Sequence, residues 1–164
     1  ALVPEDRKSQ GLVAELSVGD NLNLAALARR PPLAWRDRAA ELWQAATICA
    51  SLDVRPPRPE VEARRLSGGN QQKVVLGKLL ALEPRVLLLD EPTRGVDVGA
   101  RAEIHRRLRL LASGGVAILL SSAESEEILA LADRVLVLRR GDVAGTLEGA
   151  DLTEQNLLRL AAGA

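Results

Sequence analysis

Two groups of side chains in this 164-residue chain have the types and spacing for phosphate chemistry. The first is Leu66-Ser67-Gly68-Gly69-Asn70-Gln71-Gln72-Lys73, a hydroxyl, two glycines and then an amphipathic run. Val75, Leu79 and Leu82 recur at helical spacing, which predicts a helix starting at or just after the glycines. Such an end exposes unpaired N–H groups and the positive pole of the helix dipole, which favours an anion. Ser67 adds a hydroxyl donor, and Lys73 adds a positive charge further along. In the second group, Val86-Leu87-Leu88-Leu89 runs straight into Asp90, Glu91 and Pro92. The apolar run reads as a strand buried on both faces, with its acids at the C-terminal end where open α/β sheets bind ligands. Asp90 suits a magnesium ion, held directly or through water. Glu91 suits orienting or deprotonating a water that attacks a phosphoryl group. Taken singly, each group has a plainer reading: an ordinary loop-to-helix junction, and a strand end with solvated acids.

Taken together, these stretches resemble the nucleotide-binding cassette of ABC transporters. Leu66 to Lys73 resemble the family's signature motif, and Val86 to Glu91 its Walker B strand with the catalytic glutamate. Thr93-Arg94-Gly95-Val96-Asp97 resemble the D-loop, with Asp97 as its aspartate. Within the family, the chain is similar to the second cassette of simple-sugar importer ATP-binding subunits. That likeness is carried by Val3-Pro4-Glu5-Asp6-Arg7-Lys8 with Gly11-Leu12-Val13, and by the Asn-Gln-Gln-Lys ending of the signature.

The resemblance implies an α/β fold of the P-loop NTPase type, a mostly parallel sheet flanked by helices with a small helical subdomain. It implies ATP and Mg2+, with Glu91 catalytic, Asp90 on the metal, and Ser67, Gly68, Gly69, Asn70, Gln71 and Asp97 binding nucleotide. In such cassettes ATP is sandwiched between Walker A and B of one cassette and the signature of another. Ser67-Gly68-Gly69 would therefore clamp ATP held by the first cassette of the same polypeptide or by a second copy. The implied partners are transmembrane permease subunits with a sugar-binding protein, at the cytoplasmic face of the membrane.

Some family features have no match. No Gly-x-x-x-x-Gly-Lys-[Ser/Thr] occurs, although that loop cradles the β- and γ-phosphates in P-loop ATPases. The chain opens on Ala1, contains no Met, and its first residues read as a strand end entering a loop. The expectation is an amino-terminally truncated cassette that is inactive by itself. The family's Q-loop glutamine has no counterpart; Glu5 sits near its place, either in that role or as a solvated loop acid. The switch histidine falls on Ala123, whose methyl cannot donate a hydrogen bond. Ser122 is left either to contact phosphate or to cap a strand end, while His105 reads as a surface or packing residue. The resemblance thus implies asymmetric sites, this half acting more through its signature than through its own carboxylates. Two rivals stand beside this reading: a soluble non-transport ABC ATPase, and an inactive remnant.

Composition bounds the alternatives. Lys plus Arg equals Asp plus Glu at 22 each, so no basic excess points to nucleic acid. The hydrophobic share of 47% is carried without Phe or Tyr, and the lone Cys49 is expected in the core. There is no signal-peptide pattern, and the apolar stretch at Val116 to Leu120 is far short of a membrane span.

These residues need positioning elements. Residues of about 17–83 are expected to form the helical subdomain with the signature, and about 84–164 the Walker B, D-loop and C-terminal α/β part. Ser17 with Asp20 reads as a capping box opening a helix to about Arg29, ended by Pro31-Pro32. A second helix is expected over about Trp35 to Leu52, with Leu42, Ala46 and Cys49 inward and Trp35 and Trp43 in core packing. The proline-rich Arg55 to Pro59 reads as a stiff connection. Further on, the pattern predicts a helix over Val98 to Leu111 with Ile104, Leu108 and Leu111 inward, broken at Gly114-Gly115. A buried strand at Val116 to Leu120 and a helix at Glu126 to Ala132 follow. A hairpin of Arg134 to Leu138 with Val143 to Leu147, and a helix from about Thr153, complete the chain.

Overall fold

The computed structural model describes residues 1–28, 31 and 35–163, which form two compact units, Ala1–Leu119 and Leu120–Ala164. The expected helix end at Arg29 and its stop at Pro32 lie outside the described residues.

In the first unit, strand β1 (Leu2–Val3) enters a π-helical turn at Arg7–Gly11, followed by helices α1 (Val18–Leu27) and α2 (Arg38–Ser51). Helix α3 (Gly68–Leu80), strand β2 (Val86–Asp90) and helix α4 (Val98–Ser113) come next, and β3 (Ala117–Ser121) lies at the boundary between units. All four helices begin on a side-chain oxygen. Ser17, Asp37, Ser67 and Asp97 accept from the backbone N–H of Asp20, Ala40, Asn70 and Ala100, each cap contributing about 1 kcal/mol. The capping box forms as expected: the Ser17 hydroxyl donates to Asp20 Oδ2 at 2.7 Å, and Asp20 N donates back to Ser17 Oγ at 3.0 Å. That hydroxyl, with Arg38 adding to it, holds the Asp20 carboxyl below the usual carboxylate range.

The sheet order is β1-β2-β3, and β1 runs parallel to β2 with Val3 beside Leu89. Helices α3 and α4 line its inner face, where Leu76, Ile104 and Leu108 meet Val3 and Leu89. The expectation that β2 is buried on both faces is not met. Leu87 and Leu89 point inward, whereas Val86 and Leu88 are 48% and 39% exposed, so one face of the strand is buried and the other is open. Strand β3 is likewise not buried: it is last in the sheet order, and Leu119 is 68% exposed.

Helix α2 shows a one-residue error in the expected face. Glu41, Ala45 and Cys49 are buried, while Leu42 and Ala46 are exposed. The inward acid is tolerated because Arg36 grips the Glu41 carboxylate with two donors at 2.7 and 3.2 Å. This rotation turns Trp43 outward, and Trp35 precedes the helix almost wholly exposed, so neither packs a core. Cys49 does, and burial pushes its thiol up to about 11.

The second unit holds α5 (Ser125–Leu131), the antiparallel hairpin β4 (Arg134–Arg139) and β5 (Asp142–Glu148), and α6 (Glu154–Ala162), which starts where expected and is capped by Thr153. Val135, Val137, Leu147 and Leu157 form its core, with Ile128 and Leu160 against them.

Two interior polar side chains fix loops of the first unit. Fully buried Asn21 accepts from Val13 N at 2.8 Å and donates to Val13 O at 2.9 Å and Ser17 O at 3.0 Å. Lys73, 6% exposed, donates to Asp53 O at 2.8 Å and Glu103 Oε2 at 2.5 Å, joining α3 to α4 and to the loop after α2. Asn21→Ala should cost about 2–3 kcal/mol, since the Val13 groups lose buried partners; urea unfolding followed by far-UV circular dichroism measures it. Lys73→Met should cost about 2–3 kcal/mol in the same assay, and Lys73→Met with Glu103→Leu should recover most of it, because the stranded carboxylate is removed too.

Candidate functional site

Helix α3 begins as the glycine spacing predicts. Ser67 is its cap, exposed, with φ −62° and ψ 158°. Its Oγ accepts from Asn70 N at 3.4 Å and from Asn70 Nδ2 at 2.9 Å. Both acceptor positions of the hydroxyl are thereby engaged, and its proton is left to donate outward. The N–H groups of Gly68 and Gly69 belong to the first turn, where a helix has no internal acceptor for them. The neighbouring amides brace this end. Asn70 Oδ1 accepts from Arg55 N at 2.7 Å, and Gln71 Nε2 donates to Ala63 O at 3.2 Å. The expected contribution of Lys73 to an anion site is overturned: its ammonium points inward to Asp53 and Glu103.

The glycines are required by what lies behind them. A Cβ on Gly69 would collide with the Cβ of Ala100, and would stand 3.4 Å from Asp97 Oδ2. A Cβ on Gly68 would stand 2.7 Å from Arg7 Nη2 and 3.1 Å from Gly95 O. The start of α3 is therefore pressed against the start of α4, and Asp97, whose Oδ1 caps α4 through Ala100 N at 3.0 Å, sits beside Gly69. The structure thus brings Ser67, Gly68, Gly69 and Asp97 together.

Asp90 ends β2, exposed, and Glu91 follows it in the left-handed region at φ 46°. A non-glycine residue there carries strain of about 1–3 kcal/mol, which persists only where the surroundings enforce it, typically at functional sites. Two tight turns follow, Arg94 N donating to Glu91 O at 3.1 Å and Val96 N to Thr93 O at 3.1 Å. Gly95 takes φ 66°, which a side chain would resist. Arg7, which no spacing argument singled out, reaches this loop from 87 residues away and donates from Nη1 to Arg94 O at 2.8 Å. Glu5 is an exposed loop acid whose carboxylate pairs with the Arg94 guanidinium.

In the second unit, Ser122 Oγ accepts from Glu124 N at 3.1 Å, which matches the capping reading of that serine. Ala123 follows it just before α5. His105 lies within α4, half-buried.

Comparison with known proteins places this geometry in a family. The chain matches the ABC transporter family over residues 2–94. It is 51% identical over 158 residues to Xylose import ATP-binding protein XylG of Burkholderia cenocepacia (strain HI2424), covering 96% of this chain and 30% of that protein. It is 49% identical over 161 residues to Ribose import ATP-binding protein RbsA 2 of Rubrobacter xylanophilus (strain DSM 9941 / JCM 11954 / NBRC 16129 / PRD-1), covering 98% and 31%. The chain thus spans about 30% of the length of these curated relatives. Among solved structures, the ATP-binding cassette MJ0796, dimeric and bound to ADP and Pi in a post-hydrolysis state, superposes with a TM-score of 0.75 at 19% identity. That match covers 90% of this chain and 61% of that one. The ADP conformation of the cassette MJ1267 gives 0.76 at 22% identity, covering 99% and 68%. The expected α/β cassette fold is therefore the observed one. The family match takes in α3, β2 and Glu91, more than half of the chain, and the chain belongs to the ABC transporter family.

Proposed function

We propose that this chain is part of an ATP-binding, ATP-hydrolysing subunit that powers import of a simple sugar through a membrane permease. The subunit works peripherally at the cytoplasmic face, with the permease and a sugar-binding protein as partners. No described helix is long and apolar enough to cross a membrane itself. The relatives' names, xylose and ribose import ATP-binding proteins, support the cargo class.

The observation that carries the reading is the end of α3. The exposed Ser67 hydroxyl and the first-turn N–H groups of Gly68 and Gly69 share one helix end, with the Asp97 carboxylate beside Gly69. That set can hold a terminal phosphate of ATP bound by the first cassette of the same polypeptide or by a second copy, with Asn70 and Gln71 completing the helix end. Glu91 orients a water and takes its proton as the water oxygen bonds to phosphorus and the bond to the leaving diphosphate oxygen breaks.

Asp90 fits one ligand position of Mg2+, and the described residues include no cluster of three or more His, Cys, Asp or Glu for a metal. An all-protein cage is not what this ion needs, since Mg2+ commonly binds through one or two carboxylates with water and phosphate oxygens. When bound there, the ion would neutralise charge on those phosphate oxygens. In the sequence the family's switch histidine is replaced by Ala123, whose methyl cannot donate a hydrogen bond, so on this reading the site served by Asp90 and Glu91 is the weaker of two.

Expected in a full-length importer is a loss of ATP turnover of about tenfold or more for Ser67→Arg, which fills the clamp, against less than about twofold for Glu91→Gln. Abolished turnover in Glu91→Gln with Ser67→Arg unaffected would overturn the assignment. Gly69→Ala should also lower turnover and cost about 1–3 kcal/mol in urea unfolding, because its methyl drives α3 off Ala100.

A further inference from the structure

Arg7 reaches the loop between Glu91 and Asp97 from the amino-terminal segment. Its Nη1 donates to Arg94 O at 2.8 Å and its Nη2 to Gly95 O at 3.3 Å. The same Nη2 occupies the space that a side chain on Gly68 would need. One guanidinium plane therefore touches two consecutive carbonyls of the loop and the first glycine of α3. The segment carrying it is tied down on both sides. Asp6 caps the turn by accepting from Lys8 N at 2.9 Å and Ser9 Oγ at 2.7 Å, and beyond it Lys78 of α3 donates to Gly11 O at 2.5 Å. Glu5, two residues before Arg7, pairs with Arg94. The Arg7 Nε is itself buried with no hydrogen-bond partner, so the fork is held in place at a cost to its own third donor position.

We infer that Arg7 is a positioning residue for the nucleotide clamp: its fork locks the loop from Glu91 to Asp97 against Gly68, fixing where the signature end and Asp97 stand. The inference deepens the ATPase reading and rests on it for its kinetic arm. Two carbonyls on successive residues require donors in a fixed plane, which arginine supplies and a lysine ammonium does not.

The test uses the full-length protein with Arg7→Ala, Arg7→Lys and, in parallel, Ser67→Arg. Steady-state ATPase and amide hydrogen exchange are measured on each. Arg7→Ala should lower kcat by about tenfold while KM for ATP stays within about twofold, since misplacement affects the reacting geometry more than nucleotide capture. Exchange should quicken at residues 93–97 and 68–70 and remain unchanged in α1 and α2, and Arg7→Lys should restore only a minor part of the turnover. Wild-type kcat in Arg7→Ala, full rescue by lysine, or faster exchange spread through every helix each overturns the inference. If Ser67→Arg turns over normally, the nucleotide reading fails, and unchanged exchange at residues 93–97 in Arg7→Ala then overturns the positioning role on its own.

Discussion

Hydrogen in place of a side chain at Gly68 and Gly69 sets how closely two helix starts can approach. Gly69 lies against Ala100 and Gly68 against Arg7 and the Gly95 carbonyl, so any larger residue would push α3 away from the loop that follows β2. Two helix N-termini, each carrying partial positive charge, would repel at such close quarters. Asp97 offsets this, because its carboxylate caps α4 and lies alongside the first turn of α3. The site is thus a junction of two dipoles held by one anion. A bound phosphate would add a second anion to a place already arranged for negative charge.

Polar groups in the interior do for the loops what apolar packing does for the helices. Asn21 holds the segment before α1, Lys73 holds the loop after α2, and Glu41 joins the start of α2 to Arg36. A carbonyl of Glu41 also accepts from Asn23 Nδ2 at 3.1 Å, linking α1 to α2. None of these contacts is strong after desolvation, but each is expensive to leave half-made. They therefore select one arrangement of irregular chain around α3.

Features encoded by neighbours in the chain were legible in the sequence. The start of α3 at the glycines, the Ser17 cap, the acids closing β2, the break at Gly114 and the hairpin of β4 and β5 each depend on residues within a few positions of one another. Features that depend on distant partners were not. Counting apolar residues put the inner face of α2 on Leu42, because nothing local says that Arg36 will neutralise Glu41 and let it turn inward. Lys73 has the type and spacing of a phosphate ligand, and only the distant Glu103 and the Asp53 carbonyl turn it inward. The apolar runs of β2 and β3 carry the hydrophobicity of doubly covered strands, yet Val86, Leu88 and Leu119 are exposed. Arg7 stands in a stretch that carries the family resemblance, but its contacts were not legible, since its partners lie 87 and 88 residues away.

An aliphatic interior with both indoles outside makes this fold optically quiet. The chain has no Tyr and no Phe, and Trp35 and Trp43 are 95% and 72% exposed. Every near-ultraviolet chromophore therefore sits in water whether or not the helices are formed. Indole emission and near-ultraviolet dichroism change little on unfolding under these conditions, and only the peptide bonds of the helices report folding by absorption. The same arrangement leaves Trp43 as a native probe of whatever approaches the outer face of α2, undiluted by signal from the core.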